Sequence, residues 1–137
     1  MHLRGTHSDD TIYMGHKGQV ATTYRGDDIV EGSRHHDTVI STGNDSINTH
    51  KGDDYIESKK GLVRIDSGKG HDVVITNVGE EGFDDITLGK GKDTLVIKSS
   101  KKIPEGGLLV RDLELHDKVE FRGKYSNDLS WQGKGHV

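Results

Sequence analysis

Eight aspartates each stand two residues ahead of an aliphatic side chain: Asp10 before Ile12, Asp28 before Val30, Asp37 before Val39, Asp45 before Ile47, Asp54 before Ile56, Asp72 before Val74, Asp84 before Ile86 and Asp93 before Leu95. Glycine precedes most of them by two positions, at Gly26, Gly43, Gly52, Gly70, Gly82 and Gly91, and Gly61 holds the same place ahead of Val63. A glycine there favours a tight turn or a close backbone approach. Turn carbonyls beside a carboxylate make a set of hard oxygen donors, suited to a divalent cation. The competing reading is that each Asp is a plain turn former that bonds its own backbone.

The steps between these aspartates are 18, 9, 8, 9, 18, 12 and 9 residues. Each long gap hides one degenerate unit, with Gln19 and Ala21 in the first and Val63 and Ile65 in the second. A nonapeptide therefore runs about ten times across residues 5–96, and a fixed period of this kind marks a stacked repeat. The mostly β-branched residue after each Asp suits a strand of about three residues with one side chain pointing inward. Two units make one coil. Stacked coils predict two parallel sheets whose inward rows are Ile12, Val30, Ile47, Ile65, Ile86 and Ala21, Val39, Ile56, Val74, Leu95. In such a stack the aspartates fall about 4.8 Å apart. Their repulsion favours a cation over plain turn formation.

The composition demands this regularity. Only 29% of the 137 residues are hydrophobic and 31% are charged, which is close to the balance of disordered chains. Regular placement still builds a thin core. Without cysteine, neither a disulfide nor a thiolate metal site can staple it. The opening "MHLRGTHSDD" has no apolar run long enough for a cleaved secretory signal, and no stretch is apolar enough to span a membrane. A net charge of −4 gives no overall attraction to nucleic acid.

Two interruptions are expected. Three extra residues between Asp72 and Asp84 predict a bulging loop at "TNVGEEG" (76–82). After Ile97 the repeat stops, so residues 1–97 read as the roll and 98–137 as a C-terminal cap and tail. In that second part 108–125 would close the open end, and Trp131 would pack on the cap or meet a partner.

"SGKGHDVVI" (67–75) and "LGKGKDTLV" (88–96), with "TYRGDDIVE" and "THKGDDYIE" matching their later positions, resemble the RTX or haemolysin-type calcium-binding repeat, G-G-x-G-x-D-x-U-x. The resemblance implies an all-β, right-handed parallel β-roll, or β-solenoid. It also implies several Ca2+ ions held by Asp10, Asp28, Asp37, Asp45, Asp54, Asp72, Asp84 and Asp93 with the backbone of the glycine turns. One edge of the roll would lose its ligand at Val63; the other begins with Gln19 and continues through Asp37, Asp54, Asp72 and Asp93. Ions are therefore expected most densely between residues 37 and 93.

The sequence departs from that pattern in two ways. The first two glycines of the unit are mostly missing, and the third position is basic or titratable at His7, His16, Arg25, Arg34, Lys51, Lys60, Lys69 and Lys90. These residues would form ridges beside the aspartates. They either offset the acidic field or dock an anionic partner.

Catalytic patterns are missing. There is no G-x-S-x-G, no H-E-x-x-H, no phosphate loop and no G-x-G-x-x-G, and "RHHD" (34–37) fits the repeat register without a histidine site. A non-enzymatic structural or binding subunit is expected, in an extracellular, virion or cell-surface assembly of decoration, tail or adhesin type, through self-association or a protein partner. The alternatives are a calcium-triggered folding module of a type I secreted protein and an accessory module binding anionic polysaccharide.

Overall fold

A computed structural model describes residues 2–78, 83–99 and 107–122. Thirteen strands follow one another: β1 (His2–Arg4), β2 (Thr11–Tyr13), β3 (Val20–Thr22), β4 (Ile29–Glu31), β5 (Thr38–Ser41), β6 (Ser46–Asn48), β7 (Tyr55–Ser58), β8 (Arg64–Asp66), β9 (Val73–Val78), β10 (Phe83–Thr87), β11 (Thr94–Ser99), β12 (Gly107–Val110) and β13 (Lys118–Arg122). No helix occurs among the described residues.

The odd-numbered strands form one sheet in chain order and the even-numbered strands form the other. Every pairing is parallel. The chain thus passes from one sheet to the other with each unit and winds a β-solenoid of about five turns. The expected ten units account for about five turns but not for the whole ladder: β1 pairs ahead of the repeat, and β12 and β13 extend both sheets beyond it. Strand pairing needs only an extended backbone in register, so the ladder continues where the Gly and Asp signature has faded.

Both inward rows form as expected. Ala21 lies opposite Val39, Ile56 opposite Val74, and Ile47 between Val30 and Ile65. Each of the ten row residues is at most 9% exposed. Burial of each depends on the coils above and below it, so the stack is stabilised as a unit.

The inward face holds more than the aliphatic residue. In a strand, positions i, i+2 and i+4 share a face, and the buried triplets are Asp37, Val39, Ser41, then Asp54, Ile56, Ser58, then Asp72, Val74, Thr76. A hydroxyl recurs at the third place, in Thr23, Ser41, Thr49, Ser58, Ser67 and Thr76, all 0% exposed. One inward side chain per strand was too few.

The expected loop at 76–82 begins later. Thr76 and Val78 are buried, and Thr76–Val78 pair with Ile97–Ser99 as the end of β9. Residues 79–82, including Gly82, lie outside the described residues, as do most of the 98–107 connection and the tail with Trp131.

Candidate cation-binding turns

The turns entering the even strands make the first edge of the roll, and those entering the odd strands make the second. Six of the eight turn carboxylates spend one oxygen on the coil before. On the first edge the Asp10 N–H donates to Asp28 Oδ1 at 2.7 Å, Asp28 N–H to Asp45 Oδ1 at 2.9 Å and Val63 N–H to Asp84 Oδ1 at 3.0 Å. On the second, Asp37 N–H donates to Asp54 Oδ1 at 2.8 Å, Asp54 N–H to Asp72 Oδ1 at 2.8 Å and Asp72 N–H to Asp93 Oδ1 at 2.9 Å. These aspartates are therefore structural links between coils.

The second oxygen separates them into two groups. Thr6 donates to Asp10 through its backbone N–H and hydroxyl, and Ser33 serves Asp37 the same way. Thr23 and Ser41 hydroxyls donate to Asp45 Oδ2 at 2.7 and 2.5 Å, and Thr76 Oγ1 donates to Asp84 Oδ2 at 2.6 Å. Asp28, Asp54, Asp72 and Asp93 differ: in each, Oδ2 is buried with no hydrogen-bond partner. Thr49 and Ser67 stand near enough to Asp54 and Asp72 to hold back part of the rise in their pKa, but their hydroxyls donate to the Ser67 and Leu88 carbonyls.

These same four aspartates follow one kind of turn. Positive φ occurs both four and two residues ahead of each, at Tyr24 and Gly26, His50 and Gly52, Gly68 and Gly70, and Gly89 and Gly91. Three of these turns lie on consecutive coils of the second edge, and the fourth is on the first edge. At Gly68 a Cβ would overlap the His50 carbonyl oxygen, and at Gly70 the Gly52 carbonyl oxygen. Carbonyls of one coil thus press against the glycines of the next.

Electrostatics marks the same residues. Burial pushes the Asp72 carboxyl up to about 8, with Asp54 and Asp93 adding repulsion. It pushes Asp54 and Asp93 to about 6 and raises Asp28 as well. A buried carboxylate with a vacant lone pair is costly unless a proton or a cation neutralises it. Among the described residues no three acidic or histidine side chains converge as a metal cluster, so a cation here must take backbone carbonyls alongside its carboxylates. Hard-oxygen coordination of that mixed kind suits calcium.

The ridge residues Arg25, Arg34, Lys51, Lys60, Lys69 and Lys90 are all exposed. On the second edge Lys51 bridges to Lys69 and Lys69 to Lys90 through parallel backbone pairing, which sets these lysines in register along the roll.

Two further carboxylates escaped the sequence reading. Asp117 Oδ1 accepts the Asp93 N–H at 3.0 Å, and Asp112 accepts the Leu88 and Gly89 N–H groups, both at 2.8 Å. Asp117 precedes Val119 by two residues, so the repeat rule reaches it; Asp112 has no aliphatic residue two places on.

Fold and turns together define a parallel β-roll of stacked nonapeptides with carboxylate-bearing turns. Residues 41–62 match the family model of the RTX calcium-binding nonapeptide repeat (4 copies), a span that includes the complete His50–Asp54 turn. No curated protein and no solved structure matches the chain.

Proposed function

We propose that this chain is a non-enzymatic, calcium-stapled β-roll that serves as a rigid structural and binding module of an extracellular or virion-surface assembly. The observation that carries the reading is the set of four orphaned oxygens, on Asp28, Asp54, Asp72 and Asp93, in four turns of one geometry. Those carboxylates and their turn carbonyls would hold the ions. Bound calcium supplies the charge that the burial of these carboxylates lacks. Asp10, Asp37, Asp45 and Asp84 act as hydrogen-bonded links, since protein donors already fill their second oxygens.

Calcium sites of extracellular modules work at high free calcium, and repeats of this family typically occur in secreted proteins. Both support an external setting. An assembly role is supported by the ends of the stack: among the described residues β1 and β13, and β2 and β12, are the edge strands of the two sheets, with pairing groups to offer.

Chelator-treated protein titrated with calcium, with magnesium as control, tests the reading by circular dichroism and calorimetry. A calcium-specific gain in β structure or melting temperature is expected. Equal responses to both ions, or none, would overturn it. Native mass measurement tests the assembly: species above the monomer are expected, and a strict monomer at all concentrations counts against it.

A further inference from the structure

On the binding-module reading above, we infer that the first edge carries a docking groove for an extended segment of a partner protein, one that presents a cationic, an apolar and an acidic side chain at alternate positions. The groove is about 430 Å³ and crosses three coils where the first edge meets the outer face of the even-numbered sheet.

A lapse in the repeat creates it. One wall is the outermost residue of each turn, Asp27, Asn44 and Leu62. The other is the first outward residue of each strand, Ile29, Ser46 and Arg64, which the ladder places side by side. The short Ser46 between two long neighbours makes the depression, and Asn44 Oδ1 accepts the Leu62 N–H at 2.9 Å and ties the opposite wall together. Leu62 and Val63 stand where the preceding units have Asp27 and Asp28, then Asn44 and Asp45, so this coil brings apolar side chains to a polar edge. Val63 is buried, Leu62 is half-buried and Ile29 is 46% exposed.

The two ends carry opposite, unspent charge. Among the described residues neither the Asp27 carboxylate nor the Arg64 guanidinium makes a hydrogen bond or an ion pair. Asp85 lies beside Arg64 in register, but Arg111 holds both of its oxygens, at 2.7 and 2.8 Å. Asp9, Asp10, Asp28 and Asp45 join Asp27 at one end against Arg25, while Lys60 and Arg111 join Arg64 at the other against Asp85. A calcium ion on Asp28 offsets part of the first charge and leaves that end acidic.

Charge of this kind selects a partner and fixes its orientation. A polyanion would be repelled at one end and a polycation at the other. Asp27 and Arg64 are two coils apart, about 10 Å along the stack. Alternate side chains of an extended segment share one face at a spacing of about 6.6 Å. Three of them therefore cover the groove, with the apolar one over Ile29 and Leu62.

The test is a nuclear magnetic resonance titration of the isotope-labelled protein with the capped peptide Lys-Ser-Leu-Ser-Glu, with and without chelator. The comparison peptides are Lys-Ser-Gly-Ser-Glu, Lys-Ser-Leu-Ser-Lys and Glu-Ser-Leu-Ser-Glu. Amide signals of residues 27–29, 44–46 and 62–64 should shift, with affinity at least about fivefold above each comparison peptide. Asp27→Lys should turn the preference toward Glu-Ser-Leu-Ser-Glu, and Ser46→Tyr, which fills the depression, should lose at least about tenfold. Circular dichroism verifies that both variants remain folded, and Asp27→Lys decides alone if Ser46→Tyr does not. Equal affinity for the four peptides, shifts spread over the second edge, no shift at all, or an unchanged preference in Asp27→Lys would overturn the assignment. Peptide binding without calcium binding leaves the groove standing and removes the calcium reading; calcium binding without peptide binding does the reverse.

Discussion

The Asp54 N–H donates to Asp72 Oδ1 at 2.8 Å, while Oδ2 of the same Asp72 carboxylate is buried with no partner. One side chain thus holds two coils together and leaves an oxygen for something the protein does not supply. Asparagine and alanine separate these roles. Asp72→Asn keeps an acceptor for Asp54 and removes the buried charge, so its melting temperature in chelator should exceed that of the wild type, and its gain on adding calcium should shrink. Asp72→Ala orphans the Asp54 N–H and should lose about 1–3 kcal/mol with or without calcium. Calorimetry of both variants in both conditions checks this.

The acidity of the four carboxyls fixes a pH dependence. An unfolded aspartate titrates near its ordinary value of about 3.9, whereas the folded chain holds Asp54 and Asp93 near 6 and Asp72 near 8. Between those limits the folded state binds more protons than the unfolded state. Calcium-free stability should therefore fall as pH rises from about 4 toward 8, and level off above that. Calcium competes for the same oxygens, so its affinity should rise over this range and its binding should release protons. Melting of chelated protein across the range tests the first part, and titration in buffers of different ionisation enthalpy tests the second.

Turn geometry has its own test. Gly70 has φ of 128°, with the Gly52 carbonyl oxygen in the space its Cβ would need. Gly70→Val should disrupt the stack with every aspartate intact. Gly15→Ala, in open space and without positive φ, should change stability by less than about 1 kcal/mol. A denaturant series on the two variants compares them directly.

The hydroxyl-filled carboxylates should behave differently. Removing both donors to Asp45 Oδ2 with Thr23→Val and Ser41→Ala should destabilise the roll by about 1–3 kcal/mol. Calcium should not restore the loss, since the turn before Asp45 has no residue of positive φ. Urea unfolding with and without calcium measures both points.

Much of the fold was legible because the repeat is local. Asp and the aliphatic residue two places on fixed the register, including the degenerate units at Gln19 and Val63, and both inward rows followed from it. The hydroxyl row was not legible, because a Ser or Thr four residues after an Asp reads as polar surface. Its meaning is tertiary: Thr23 meets Asp45 across 22 residues. The same limit hid the division among the aspartates. Asp37 and Asp54 hold the same register position, with His35 where the second has Gly52, and what separates them is the Ser33 donors to Asp37 and the positive φ at His50 and Gly52.

That division is tested most directly by calcium stoichiometry, measured by equilibrium dialysis on wild type, Asp54→Asn and Asp37→Asn after complete chelation. The account predicts that Asp54→Asn binds fewer ions than wild type and that Asp37→Asn binds as many. Equal losses in both variants, or no loss in Asp54→Asn, would contradict it.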